Sequence, residues 1–168
     1  ASAAQTFTIV VPANPFPYLP NEFAGLFYET NALSSDSSGY FSFVIATNGA
    51  FNGYALLAGA SNRFAGQFSV SNSTASVVVS NTGVTLNLTV DTSNDWTESV
   101  TGSATNSGSW NAQLLGYMAV YSSEFQTELA GEYNVVMSGF TNAAAGPAGD
   151  STLSLIVSNT GAATLSGY

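Results

Sequence analysis

Val84-Thr85-Leu86-Asn87-Leu88-Thr89-Val90-Asp91 is the stretch on which the fold turns. Apolar and polar residues alternate without interruption, and in an extended chain successive side chains point to opposite faces. Val84, Leu86, Leu88 and Val90 therefore share a buried face, while Thr85, Asn87, Thr89 and Asp91 face water. Working outward, similar runs occupy residues 6–11, 23–29, 39–47, 50–58, 63–70, 75–80, 95–101, 109–121, 131–137, 151–157 and 162–168. Asn48-Gly49, Asn81-Thr82-Gly83 and Asn159-Thr160-Gly161 supply residues that accept positive φ where tight hairpins need them. The pattern predicts an all-β protein: an antiparallel meander of about ten to twelve strands forming a barrel or a sandwich. Only Ser122 to Leu129 reads helically, with Ser123 as a cap and Phe125 and Leu129 four residues apart, so at most one short helix is expected.

The remaining composition is that of a chain with a core and a nearly uncharged surface. Hydrophobic residues make up 45% of the 168, but charged ones only 7%, against roughly 25% in an ordinary soluble domain. Ser, Thr, Asn, Gln and Gly must cover the outside. Arg63 is the one basic side chain beside ten acidic ones, and the net charge of -9 repels phosphate backbones and anionic lipid surfaces alike. Nucleic acid and membrane insertion are both excluded as expectations, since no apolar run approaches the roughly 18 residues of a membrane helix. Without cysteine there is no disulfide framework. A lysine-free, hydroxyl- and amide-rich surface, with a start Ala1-Ser2-Ala3-Ala4-Gln5 that looks trimmed after a small-residue cleavage site, points to a mature exported protein, extracellular or on the cell surface.

The chemical inventory is short. With no His, Cys or Lys, the usual general base, the thiolate nucleophile and the Schiff-base amine are missing, and serine hydrolysis would lack its base. Two carboxylate groupings remain for acid-pair glycosidase chemistry, Asp91, Asp95 and Glu98, or Glu22 and Glu29 with Asp36. Solvated acids at strand ends are the preferred explanation, and the expectation is a non-enzyme. Asp91-Thr92-Ser93-Asn94-Asp95 offers oxygens at alternate positions, as Ca²⁺ prefers, although Trp96 stands where a calcium loop needs glycine. The run reads first as an Asx-rich turn joining two strands, with Asp91 and Asp95 as candidate calcium ligands in the second place; no other cofactor is expected.

Aromatic residues amount to 12%. Phe41, Phe43 and Ile45 share a face, as do Phe64, Phe68 and Val70, and cross-strand packing accounts for them. Tyr40, Tyr54, Trp96, Trp110, Tyr117 and Tyr121 have polar or small neighbours along their strands; Trp96, Trp110 and Tyr117 are the candidate glycan contacts, since exposed rings stack on sugars.

The chain also echoes itself. Ala24-Gly25-Leu26-Phe27-Tyr28 is followed by Ala130-Gly131-Glu132-Tyr133, and Phe43-Val44-Ile45-Ala46-Thr47-Asn48-Gly49-Ala50 by Leu155-Ile156-Val157-Ser158-Asn159-Thr160-Gly161-Ala162. A unit seen once whole and once in part suggests a repeat array. Three segments are expected: residues 1–22, an N-terminal strand and proline-rich strap; 23–129, a first β module; and 130–168, a partial second repeat packed with the first.

Asn14-Pro15-Phe16-Pro17-Tyr18-Leu19, Gly25-Leu26-Phe27-Tyr28-Glu29-Thr30-Asn31, Ser37-Ser38-Gly39-Tyr40-Phe41, Gly49-Ala50-Phe51-Asn52-Gly53 and Phe64-Ala65-Gly66-Gln67-Phe68-Ser69, then Trp110 to Gly116, Ala130 to Tyr133 and Pro147-Ala148-Gly149-Asp150, together resemble the β-rich repeat modules of large secreted bacterial proteins. That resemblance implies a compartment and a repeat architecture, with no catalytic residues to carry over. The chain departs from the modules in lacking their lysines and arginines, and in having Ser151-Thr152 where a glycine-rich step follows the aspartate.

An apolar strand, Thr6, Phe7, Thr8, Ile9, Val10 and Val11, precedes a segment holding four of the five prolines, Pro12 to Pro20, which cannot enter a sheet interior. Such a strand either closes its own sheet or adds to a neighbour's, and a surface poor in charge lacks the usual blocks to edge pairing. The expected function is an extracellular structural protein, a self-associating surface or fibre subunit forming a homo-oligomer or polymer. A carbohydrate-binding or adhesin module is the alternative.

Overall fold

Alternation in the sequence becomes alternation in space along the eleven antiparallel strands found among the described residues. A computed structural model describes residues 14–16, 21–31, 34–91, 98–119, 128–139 and 149–167. Residues 1–119 form one compact unit and residues 120–168 another, whereas the sequence reading put the second repeat at 130. The first holds β1 (Asn21–Tyr28), β2 (Gly39–Ile45), β3 (Ala50–Leu57), β4 (Ala60–Gln67), β5 (Thr74–Val78), β6 (Val84–Asp91), β7 (Ser99–Asn106) and β8 (Trp110–Met118). The second holds β9 (Gly131–Met137), β10 (Ser151–Val157) and β11 (Ala163–Gly167). No helix occurs among the described residues; most of the expected helix, residues 122–127, lies outside them, as does the strand Thr6–Val11.

In the first unit each strand except β4 pairs with the next in the chain and β8 returns to β1, from Phe23↔Met118 to Tyr28↔Gln113. The result is a nearly closed, eight-stranded up-and-down barrel. Its one interruption lies between β4 and β5, which no ladder joins. They are laced at two points: Ser69 N–H donates to the Thr74 carbonyl (2.8 Å) and Ser80 N–H to that of Arg63 (2.9 Å). Both bonds belong to a single antiparallel register, in which Gln67 would face Ser76 and Ala65 would face Val78. Those two intermediate pairs are not made, so the seam is held at its ends and slack between them.

Eight strands enclose a space that side chains can fill. One side is phenylalanine, with the Phe43 ring 5.6 to 6.1 Å from those of Phe23, Phe41, Phe51, Phe64 and Phe68. The other is aliphatic: Val77, Val79, Val84, Leu86, Leu88, Val90, Val100 and Leu114 are all buried. The strap is less external than its prolines suggest. Phe16 is buried against Phe68, ring centroids 5.9 Å apart. Its N–H donates to Asn14 Oδ1 (3.0 Å), and Asn14 Nδ2 donates to the Thr47 carbonyl (2.5 Å).

Three local expectations shift. β7 begins four residues later than read and runs through Gly102-Ser103-Ala104, which have no apolar period; pairing with β6 and β8 on both sides makes it a strand. β4 begins at Ala60 instead of 63. Val70, expected beside Phe64 and Phe68, is exposed because the turn after Gln67 has already left the sheet.

The second unit is a three-stranded sheet in the order β11-β10-β9, and its register reproduces that of the first three strands of the barrel. Tyr133 faces Leu155 as Phe23 faces Phe43, and Val157 faces Ala163 as Ile45 faces Phe51. The hairpin turns agree as well. Ala46 N–H donates to Ala50 O at 2.8 Å and Ser158 N–H to Ala162 O at 2.9 Å, with Gly49 and Gly161 at φ 82° and 76°. Even a diagonal side-chain bond recurs, Ser42 Oγ to Glu22 Oε1 (2.7 Å) and Ser154 Oγ to Glu132 Oε1 (3.3 Å). The echo at Phe43 and Leu155 is therefore structural. The echo of Ala24-Gly25 in Ala130-Gly131 is not, because pairing sets β9 four residues away from that alignment.

Candidate functional site

The sequence candidates scatter. Thr6–Val11, Asp95, Trp96 and Tyr121 lie outside the described residues. Asp91 ends β6 on the exposed side, and among the described residues no three His, Cys, Asp or Glu side chains gather as a metal site. Trp110 opens β8 with its ring stacked on Phe27 at 6.4 Å and 11°, against the core, whereas Tyr117 projects outward, 60% exposed. Their side chains leave opposite faces of β8, so the two do not form one platform. Glu22 and Glu29 are separated by about 23 Å of extended chain. Glu22 accepts from Ser42, and Glu29 Oε1 accepts the Asn111 N–H at 3.3 Å.

What the register does bring together is two unlike outer surfaces. Over β8, β1, β2 and β3, Leu115, Leu26, Tyr40 and Leu56 stand directly opposite one another in one row, and Tyr117, Ala24, Ser42 and Tyr54 in the next. The Tyr40 and Tyr54 rings are 6.0 Å apart at 46°. Burial raises the Tyr40 phenol above its ordinary 10.0, with the neighbouring Tyr54 adding to the effect. In the second unit the matching positions are Thr152 and Ser166, so the meander itself has no need of this tyrosine pair.

Over β5, β6 and β7 the rows are polar: Thr74, Thr89 and Thr101, then Ser76, Asn87 and Ser103. Ser76 Oγ donates to Asn87 Oδ1 (2.9 Å) and Asn87 Nδ2 to Ser103 Oγ (3.3 Å). Where this row meets the slack β4–β5 seam there is a cleft of about 570 Å³. A scan of protein-family models and searches of curated proteins and solved structures return no match.

A third surface belongs to the three-stranded sheet. Tyr133, Val135, Met137, Leu153, Leu155, Val157 and Leu165 alternate onto one face, the counterpart of the barrel lining. Leu165 is 60%, Met137 49% and Tyr133 41% exposed. Single-strand periodicity assigned each of these residues a face. It carried no information on which residues of different strands would become neighbours, and this is why neither the Ser76–Asn87–Ser103 row nor the Leu26 row was among the candidates.

Proposed function

We propose that this chain is an extracellular structural protein, a self-associating subunit of a surface or fibre assembly whose partner is a second copy of itself. The observation that carries the reading is the sheet β9–β11, three strands in the register of the barrel wall whose lining face leaves Leu165, Met137 and Tyr133 exposed. Apolar surface left in water forgoes about 25 cal/mol per Å², and contiguous exposed apolar surface marks an interaction site. A second copy is the favoured occupant because the face bears no charge, so two identical faces can meet without burying one. Among the described residues the outer edges of β9 and β11 pair with nothing, and neither strand holds the lysine or proline with which edges are usually blocked. Strand addition at such an edge is a head-to-tail contact that continues as a filament unless it closes into a ring. In this reading Thr6–Val11, with Phe7, Ile9 and Val11 on one face, is the donor strand. The charge-poor, hydroxyl-rich surface supports an extracellular setting.

Sedimentation velocity and negative-stain microscopy on the whole chain test it. The expected result is concentration-dependent assembly that Leu165→Ser reduces sharply while the barrel's circular dichroism is unchanged. Loss of assembly on deleting residues 1–11 from a still-folded chain would assign them as donor. A wild-type chain that stays monomeric from micromolar to millimolar concentration refutes the reading.

A further inference from the structure

We infer that the cleft at the β4–β5 seam binds a neutral, hydroxyl-rich ligand, that is, a carbohydrate. Its volume of about 570 Å³ falls in the range of small-molecule sites, roughly 300–1,000 Å³. It exists because the register fixed by Ser69–Thr74 and Arg63–Ser80 is not completed at Gln67 and Ser76. The Thr74 carbonyl accepts across the seam, and Ser76, two residues along the same strand, turns its main-chain groups the same way. The slack seam thus offers backbone donors and acceptors to whatever occupies it.

The chemistry of the walls selects the ligand. Gln67, Ser69, Thr74, Ser76, Asn87 and Ser103 supply amides and hydroxyls, and no charged side chain lines the cleft. An anion would find no cation there and a cation no carboxylate. An apolar molecule would bury these groups without partners, at about 1–3 kcal/mol for each one left unsatisfied. A sugar hydroxyl both donates and accepts, and the walls do the same in fixed orientations. The bonds from Ser76 and to Ser103 hold the Asn87 amide, leaving its second N–H and the Ser103 hydroxyl proton to donate. Gln67 Nε2 donates to the Asn48 carbonyl (2.6 Å), which anchors that amide and leaves its oxygen to accept. Polar groups already locked by their neighbours lose little freedom on binding.

The test is titration of the ¹⁵N-labelled whole chain with neutral cello-, xylo-, malto- and chito-oligosaccharides, followed in the side-chain amide resonances. At least one series should move the Gln67 and Asn87 amide signals in a saturable way. Asn87→Ala should weaken that binding about tenfold or more, and Ser103→Ala should weaken it with little change in melting temperature. Tyr54→Ser, on β3 and outside the cleft's lining, should leave it unaltered. Folded protein that binds none of the four series overturns the inference. So does binding that survives Asn87→Ala and Ser103→Ala but is lost with Tyr54→Ser, which would place the ligand on the tyrosine face.

Discussion

Phe43 and Leu155 hold the same place in two meanders of identical register, yet Phe43 is 1% exposed and Leu155 only half-buried. The difference lies in what surrounds the three strands. In the barrel, five more strands bend the wall around until its apolar side faces itself. In the second unit, among the described residues, the wall stops at three strands and the same side is only partly covered. Burial is thus a property of closure, and a correctly registered meander does not confer it. Glycines mark the same distinction. A Cβ on Gly25 would lie 2.2 Å from the Leu115 carbonyl oxygen, and one on Gly53 would lie 2.1 Å from that of Ser42. The matching positions in the open sheet are Val135 and Leu165; Val135 has no β8 counterpart pressing on it, whereas the strand that crowds Gly53 is β2, whose counterpart β10 is present. At Gly25, closing the barrel with β8 costs a side chain.

Substitutions at matched positions put this contrast at risk, beginning with the largest effect. Phe43→Ala should remove about 3–5 kcal/mol from unfolding free energy, because it opens a cavity amid five other rings, whereas Leu155→Ala should cost the monomer about 1 kcal/mol. Urea denaturation followed by circular dichroism measures both, and equal losses would mean that the open sheet is as well covered as the barrel. Gly25→Val should cost about 3 kcal/mol, since the obstruction is backbone and cannot rotate away. The reverse change at the matched site, Val135→Gly, should cost about 1 kcal/mol. Thermal melts of the two variants would sharpen the claim that barrel closure, and not the strand itself, demands glycine.

Glu22→Gln and Glu132→Gln should each cost about 1 kcal/mol or less, by about the same amount, as both carboxylates are exposed and each accepts from one serine. A large effect at one alone would break the equivalence of the two sheets. The smallest effect concerns the tyrosine pair found only in the barrel. With its folded pKa raised, Tyr40 keeps its proton longer than in the unfolded chain. Its contribution to stability is complete below about pH 10 and is lost as pH rises through the folded value. Alkaline titration at the phenolate absorbance should show Tyr40 ionising late, and Tyr54→Ser should make it ionise earlier.

How far the chain was legible differs by element. Val84–Asp91, 131–137 and 151–157 were read as strands to the residue, since their periods are unbroken. β7 was half missed because Gly102-Ser103-Ala104 carries no hydrophobic signal of its own. Phe16 was hidden by the prolines around it: they exclude the strap from a ladder, but they do not stop one side chain from turning inward. The cleft was illegible altogether, as it depends on two backbone pairs that a register predicts and the barrel leaves unmade.

By itself the sequence determined the all-β class, the hairpin turns at Gly49, Gly83 and Gly161, the inward face of most strands and a surface almost without charge. These are local matters, set by side-chain period, by the φ that glycine tolerates and by composition. Only the tertiary structure decided that β8 returns to β1, that β4 and β5 part between two laced ends, and that three strands of the same design stand with their lining only partly covered. Those outcomes come from pairing between residues far apart in the chain, where the fit of one strand against another decides and no single stretch of sequence contains the information.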